Sequence, residues 1–108
     1  MPREVTVAEL AETRTAGNPV FLLDIREDWE RQAAKIADEL HIPMNDIPGR
    51  ATEIKPPAGA MLVVYCHTGK RSLMVAGWLE KNGFPGALSL AGGIDAWSQE
   101  IDPTVPQY

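Results

Sequence analysis

One stretch constrains this chain more than any other: Met61-Leu62-Val63-Val64-Tyr65 has no polar interruption before Cys66. A strand with one wet face alternates apolar and polar residues, whereas an unbroken run is covered on both faces and sits inside a sheet. Ser72 to Asn82 follows with Leu73, Met74, Val75, Ala76, Trp78 and Leu79 nearly all round, which predicts a well-buried helix. Gly83 stands where a left-handed C-terminal cap falls. A central strand running into a buried helix is half of a βαβ unit, so parallel pairing is expected.

The rest of the chain repeats that alternation. Thr6-Val7-Ala8-Glu9 has capping-box spacing and predicts a helix to about Thr15, broken by Gly17-Asn18-Pro19. Val20 to Asp24 reads as a second buried strand, Glu27 to Ala34 as a short helix and Glu39 to Ile42 as a short strand. Asp46 to about Ile54 predicts a helix with Pro48 in its first turn, and Pro56 to Gly59 a surface turn. Ala87 to Leu90 makes a last strand, and Gly92-Gly93 leads into a helix from about Ile94 to Gln99 before the Pro103 and Pro106 tail. The count predicts an α/β fold with four or five parallel strands and helices on both faces. With 108 residues and no repeat or linker, residues 1–108 are expected to form one domain.

Charge and cysteine usage narrow the function. Fifteen acids against ten bases leave a net charge of −5, which argues against general binding to nucleic acid or anionic lipid. No apolar run approaches membrane-spanning length, and Met1-Pro2-Arg3-Glu4-Val5 lacks a signal-peptide core. Cys66 is the only cysteine, so no intrachain disulfide forms, and a reducing, cytoplasmic setting fits. No Cys/His or carboxylate cluster has metal-ligand spacing, so neither metal nor cofactor is expected.

A lone thiol is most often a small buried hydrophobe. Here its position argues otherwise. Cys66-His67-Thr68-Gly69-Lys70-Arg71-Ser72 joins the end of the central strand to the start of the buried helix. Ligands of open α/β sheets bind beyond the carboxyl ends of strands. Loop N–H groups and the helix's positive end converge there, with Ser72 expected as N-cap, and such a site favours the thiolate. No Asp or Glu occurs from Ile54 through Leu79, while Lys55, Lys70, Arg71 and His67 do. The loop mouth is therefore expected to be cationic and to take a small anionic substrate or carry an anionic adduct on sulfur.

Val64-Tyr65-Cys66-His67-Thr68-Gly69-Lys70-Arg71-Ser72 resembles the active-site loop of rhodanese-like sulfurtransferases. Leu90-Ala91-Gly92-Gly93-Ile94-Asp95-Ala96-Trp97 is similar to that family's second signature, and Leu23-Asp24-Ile25-Arg26-Glu27 to its strand end. Glu100 to Tyr108 resembles the tail of rhodanese domains joined to enzymes that activate sulfur-carrier proteins. Ala34 to Leu40 departs from the family by lacking a His and two Gly. The resemblance implies a three-layer rhodanese-like fold and a two-step transfer. The Cys66 thiolate takes the outer sulfur of thiosulfate or a persulfide donor, and a thiophilic acceptor then removes it from the Cys66 persulfide. It further implies that the amides of His67, Thr68, Gly69, Lys70, Arg71 and Ser72 stabilise the persulfide anion. Lys70 and Arg71 would hold the donor's sulfonate.

Other roles compete at each position. Arg71 could instead form a surface ion pair, Lys70 could be a solvated loop-tip residue, and His67 fits a loop-shaping role better than a general base. Asp24 and Arg26 are expected to fasten strand ends, Trp29 to pack or wall the pocket, Trp78 and Trp97 to be core, and His41 to have no chemistry. Three rival functions remain: a cysteine phosphatase or arsenate reductase, a non-catalytic regulatory module, and a persulfide relay to a sulfur-carrier or tRNA-thiolation partner. The first needs arginine six positions after the cysteine, where this chain has Ser72. Protein sulfur donors or acceptors are thus a further partner class.

Overall fold

Met61–Tyr65 forms β4, the middle strand of a five-stranded sheet in the computed structural model, which describes residues 3–108. Met1 and Pro2, the start of the segment read as lacking a leader core, lie outside the described residues. The other strands are β1 (Arg3–Val5), β2 (Val20–Asp24), β3 (Leu40–His41) and β5 (Leu88–Leu90), in the order β1-β5-β4-β2-β3. Every pairing is parallel, with Asp24 opposite Tyr65 and Ser89 opposite Val64. The helices are α1 (Val7–Thr15), α2 (Asp28–Ala33), α3 (Ile47–Arg50), α4 (Lys70–Lys81) and α5 (Gly93–Glu100).

Side-chain alternation along β4 divides the core in two. Leu62, Val64 and Cys66 face Val75, Ala76 and Leu79 of α4 together with Ile47 and Ile54. Val63 and Tyr65 face Leu10 of α1 and Ile94 and Trp97 of α5. The sheet is thus covered on both sides, as the unbroken apolar run requires. α1 starts as its capping box predicts: Thr6 Oγ1 accepts from the Glu9 amide at 3.1 Å, and Glu9 accepts from the Thr6 amide at 2.9 Å.

Four local expectations are corrected. β1 was not anticipated, because only Val5 of its three residues is buried and an edge strand that short carries no pattern. The helix expected from Asp46 to Ile54 is one α-turn, α3, between two 3-10 turns, Met44–Asp46 and Ala51–Glu53. Pro48 and Gly49 weaken any continuous helix there. α4 is not buried all round: Met74 is 66% and Trp78 36% exposed, because only one side of the helix meets the sheet. Trp97, by contrast, is a core residue. Finally, α4 begins at Lys70 and its N-cap is Gly69 at φ +102°, so Ser72 is a buried residue of the first turn and caps nothing.

The strand order reverses between neighbouring β2 and β4. The chain leaves β2 toward β3 on one side and leaves β4 toward β5 on the other. Crevices of α/β sheets open at such a point. The residues that meet there are 24–31 from one strand end and 66–72 from the other.

Candidate active site

Cys66 directly follows β4 and is almost fully buried, at 1% exposure, with its sulfur turned into the curl of its own loop. The backbone N–H groups of Gly69 and Ser72 point at Sγ from 3.1 and 3.3 Å. The Ser72 hydroxyl lies 3.5 Å from Sγ, donates to the Gly69 carbonyl at 3.2 Å, and shares a 2.7 Å hydrogen bond with Ser89 of β5. Ser89 is fully buried, so β5 supplies a fixed polar floor beneath the loop. The positive φ of Gly69 makes the curl possible. Its own Cβ position would lie 3.1 Å from the Gly92 nitrogen, so side-chain bulk is excluded as well.

The loop is clamped from outside by α5. The amides of Ile94 and Asp95, in the first turn of that helix, donate to the carbonyls of Cys66 and His67, each at 3.0 Å. Gly93 makes this approach possible: a Cβ there would stand 2.4 Å from the His67 oxygen and 2.5 Å from that of Cys66. The Gly-Gly element is therefore packed on the loop's own backbone.

The other wall grows from the end of β2. Arg26 is wholly buried, and its five guanidinium N–H groups all find acceptors. Two go to Asp24, at 2.9 and 2.8 Å, and two to the carbonyls of Glu30 and Ala34. The last goes to the Tyr108 hydroxyl at 3.0 Å. Burial opposes ionisation of Asp24, but hydrogen bonds and charge from Arg26 and Arg31 outweigh it and lower its carboxyl. Arg26 thereby sets the path of residues 27–34, and that path delivers Glu30.

Glu30 lies at the switch point with all its capacity used. It accepts from Arg71 at 2.8 and 2.9 Å, from the Glu27 amide at 2.9 Å and from Tyr108 at 2.8 Å. Burial pushes its carboxyl up, yet these hydrogen bonds and the Arg71 charge bring it down from 4.5 to about 2. Tyr108, pushed up to about 12 by burial and by Glu30 against the pull of Arg26, lays its ring flat on His67. The ring centroids are 4.1 Å apart and the planes 14° from parallel. A folded-state value below the unfolded one stabilises the protein fully above about pH 4.5, and that stabilisation is lost as pH falls toward about 2. Thermal melts followed by circular dichroism should show wild type more stable than Glu30→Gln at pH 7. The gap should close as pH falls through that window; a gap constant down to pH 2 contradicts the coupling.

Among the residues singled out from sequence, Cys66, Gly69 and Ser72 form the curl around the sulfur. His67 lies under Tyr108, while Thr68 and Lys70 are exposed at the rim. Arg71 takes the ion-pair arrangement that was its alternative, although its remaining N–H groups stay available to a ligand. The acid-free stretch is consequently not acid-free in space, because Glu30 arrives from another part of the chain. Trp29 is 63% exposed and meets Tyr108 edge to face. Glu30, Ser89 and Tyr108 were not recognised from sequence. Only Glu30 carried a signal, as the third residue of a short helix after a strand end. Among the described residues, no group of His, Cys, Asp or Glu could hold a metal ion, and no helix is long and apolar enough to cross a membrane.

The model of the rhodanese-like domain matches residues 6–100. A sulfurtransferase of Allochromatium vinosum is 35% identical over 105 residues, covering 97% of this chain and 96% of its own. An adenylyltransferase and sulfurtransferase of Zea mays, MOCS3-2, is 32% identical over 96% of this chain, which spans only 23% of that longer protein. The crystal structure of a rhodanese-like domain protein from Staphylococcus aureus superposes with a TM-score of 0.81 at 28% identity, covering 98% of both chains. The chain belongs to the rhodanese-like domain family, among the sulfurtransferases.

Proposed function

We propose that the protein moves sulfane sulfur from thiosulfate or a persulfide to a thiophilic acceptor through a persulfide on Cys66. The observation that carries this reading is the pair of N–H groups from Gly69 and Ser72 aimed at the sulfur. Donors fixed in place before reaction stabilise charge where it develops: the thiolate is anionic at this sulfur, and the persulfide at the sulfur bonded to it. In the first step the Cys66 thiolate attacks the outer sulfur of thiosulfate. Its bond to the sulfonate sulfur breaks, and sulfite leaves with the electron pair. In the second, the acceptor attacks the terminal sulfur and the thiolate is restored; cyanide becomes thiocyanate. Dividing one transfer into two displacements is covalent catalysis. The amides of the 67–72 loop receive the anion, Lys70 lies at the rim for the donor's sulfonate, and the free N–H groups of Arg71 orient it. With no second cysteine in the chain, the sulfur leaves to an outside acceptor.

Relay of persulfide sulfur from one protein to another is the second reading. The two activities in the maize relative's name, adenylyl transfer and sulfur transfer, favour it, as does the solitary thiol, which suits a reducing cytoplasm. Intact-mass measurement after thiosulfate treatment tests the common step. A gain of about 32 Da, mapped to the Cys66 peptide and reversed by cyanide, is the expected result for one added sulfur. A folded protein that gains no mass from thiosulfate or from a persulfide refutes the function.

A further inference from the structure

The mouth of the loop holds one arginine whose charge is already matched. Arg71 stands between Gly69 and Ser72, the residues whose amides touch the sulfur, and its guanidinium meets both oxygens of Glu30 at 2.8 and 2.9 Å. Glu30 is 3% exposed, so water screens the carboxylate end of this pair poorly, while the Arg71 side chain is 33% exposed. The pair is further tied down, because Tyr108 donates to the same carboxylate and the Glu27 amide holds its other oxygen. What remains for an incoming anion is the N–H groups on the sulfur, the helix start, exposed Lys70 at the rim and the N–H groups of Arg71 that Glu30 leaves free, on a guanidinium whose charge is already cancelled. That provision suits one negative charge and leaves a second without a local partner.

We propose that Glu30 is a specificity-determining residue that favours monoanionic persulfide donors over dianionic thiosulfate. The proposal rests on the sulfur-transfer reading above. Both donors load the same atom. With thiosulfate, the thiolate and the dianion give the Cys66 persulfide anion and sulfite, SO3 2−. With an organic persulfide anion, R–S–S−, the donor's S–S bond breaks as the outer sulfur bonds to Cys66, and the thiolate R–S− leaves with the electron pair. The charge entering the mouth is one unit greater with thiosulfate. A carboxylate that cancels Arg71 therefore disfavours thiosulfate selectively, and removing it should restore the balance.

The test compares kcat/KM for thiosulfate with kcat/KM for 2-hydroxyethyl persulfide, whose body carries no charge. In Glu30→Gln the side chain keeps its shape but presents one acceptor where Arg71 uses two, so the arginine charge is freed. The ratio, thiosulfate over persulfide, should rise about tenfold relative to wild type. Arg71→Gln, at a more exposed position, leaves the Glu30 carboxylate uncompensated and should lower the same ratio by a similar factor. Because Arg71 also meets the donor directly, Glu30→Ala, which removes the carboxylate and should raise the ratio as Glu30→Gln does, is the second measurement if Glu30→Gln does not fold. A ratio unchanged within about twofold in whichever of these variants fold, with both donors still loading Cys66, overturns the proposal and leaves the sulfur-transfer reading standing. A folded wild type that neither donor loads overturns both.

Discussion

Cys66→Ser is expected to lower sulfur transfer from either donor by at least ~10⁴-fold, the scale seen when covalent catalysis loses its nucleophile. The reason is chemical and not structural. A serine hydroxyl at neutral pH carries almost no alkoxide, and an oxygen cannot store sulfane sulfur as a persulfide. The fold should survive, because the smaller oxygen still accepts from the Gly69 and Ser72 amides that now meet sulfur at 3.1 and 3.3 Å. Stability should change by about 1 kcal/mol, a midpoint shift of roughly 4–6 °C. Rate loss with an intact melting curve separates the roles. Activity within tenfold of wild type removes Cys66 from the mechanism.

Gly93→Ala should produce the largest loss of stability from a single methyl group. Three atoms of the Cys66 loop, the carbonyl carbon and oxygen of His67 and the oxygen of Cys66, lie within 2.6 Å of where that methyl would sit. All three are backbone atoms and have no flexible end to swing aside. The position also has φ +60°, which costs a side chain about 1–2 kcal/mol. Overpacking adds about 1–3 kcal/mol, so the total is about 2–5 kcal/mol, or on the order of 10–20 °C in the midpoint. Relief requires α5 to retreat, and retreat breaks the Ile94 and Asp95 hydrogen bonds that hold the loop carbonyls. Activity should therefore fall further than stability alone explains at a temperature where the variant is folded. Gly86→Ala is the control, since nothing lies within 4 Å of its Cβ position. If the two alanine variants melt together and retain equal activity, the clamp has no role.

Much of this architecture was readable because it depends on short-range rules. The unbroken run of β4, the Thr6–Glu9 box and the glycine after α4 each state their structure within a few residues. The candidate nucleophile was readable for the same reason, since strand end, glycine curl and helix start are contiguous. What escaped notice depends on distant chain segments meeting. Arg71 looked free because no acid is near it in sequence, and Glu30 looked like one more residue of a short helix. Their pairing follows from β2 and β4 lying side by side, which a linear reading cannot supply. Tyr108 escaped for the same cause. The exposure of Met74 and Trp78 is a different lesson: an apolar helix predicts burial only where something exists to cover each side.

The placement of Cys66 on the same face as Leu62 and Val64 sets a rule for how this chain can change length. Strand side chains alternate with a period of two, so inserting or deleting one residue within β4 sends the thiol to the opposite layer. It would then emerge among the α1 and α5 contacts, on the side now held by Val63 and Tyr65, away from α4. The exposed turn at residues 57–59 precedes the strand, and its length does not alter that parity. Variation is thus free just upstream of the strand and forbidden within it. The Cys66 sulfur is indexed to the sheet by counting residues, not only by the conformation of its loop.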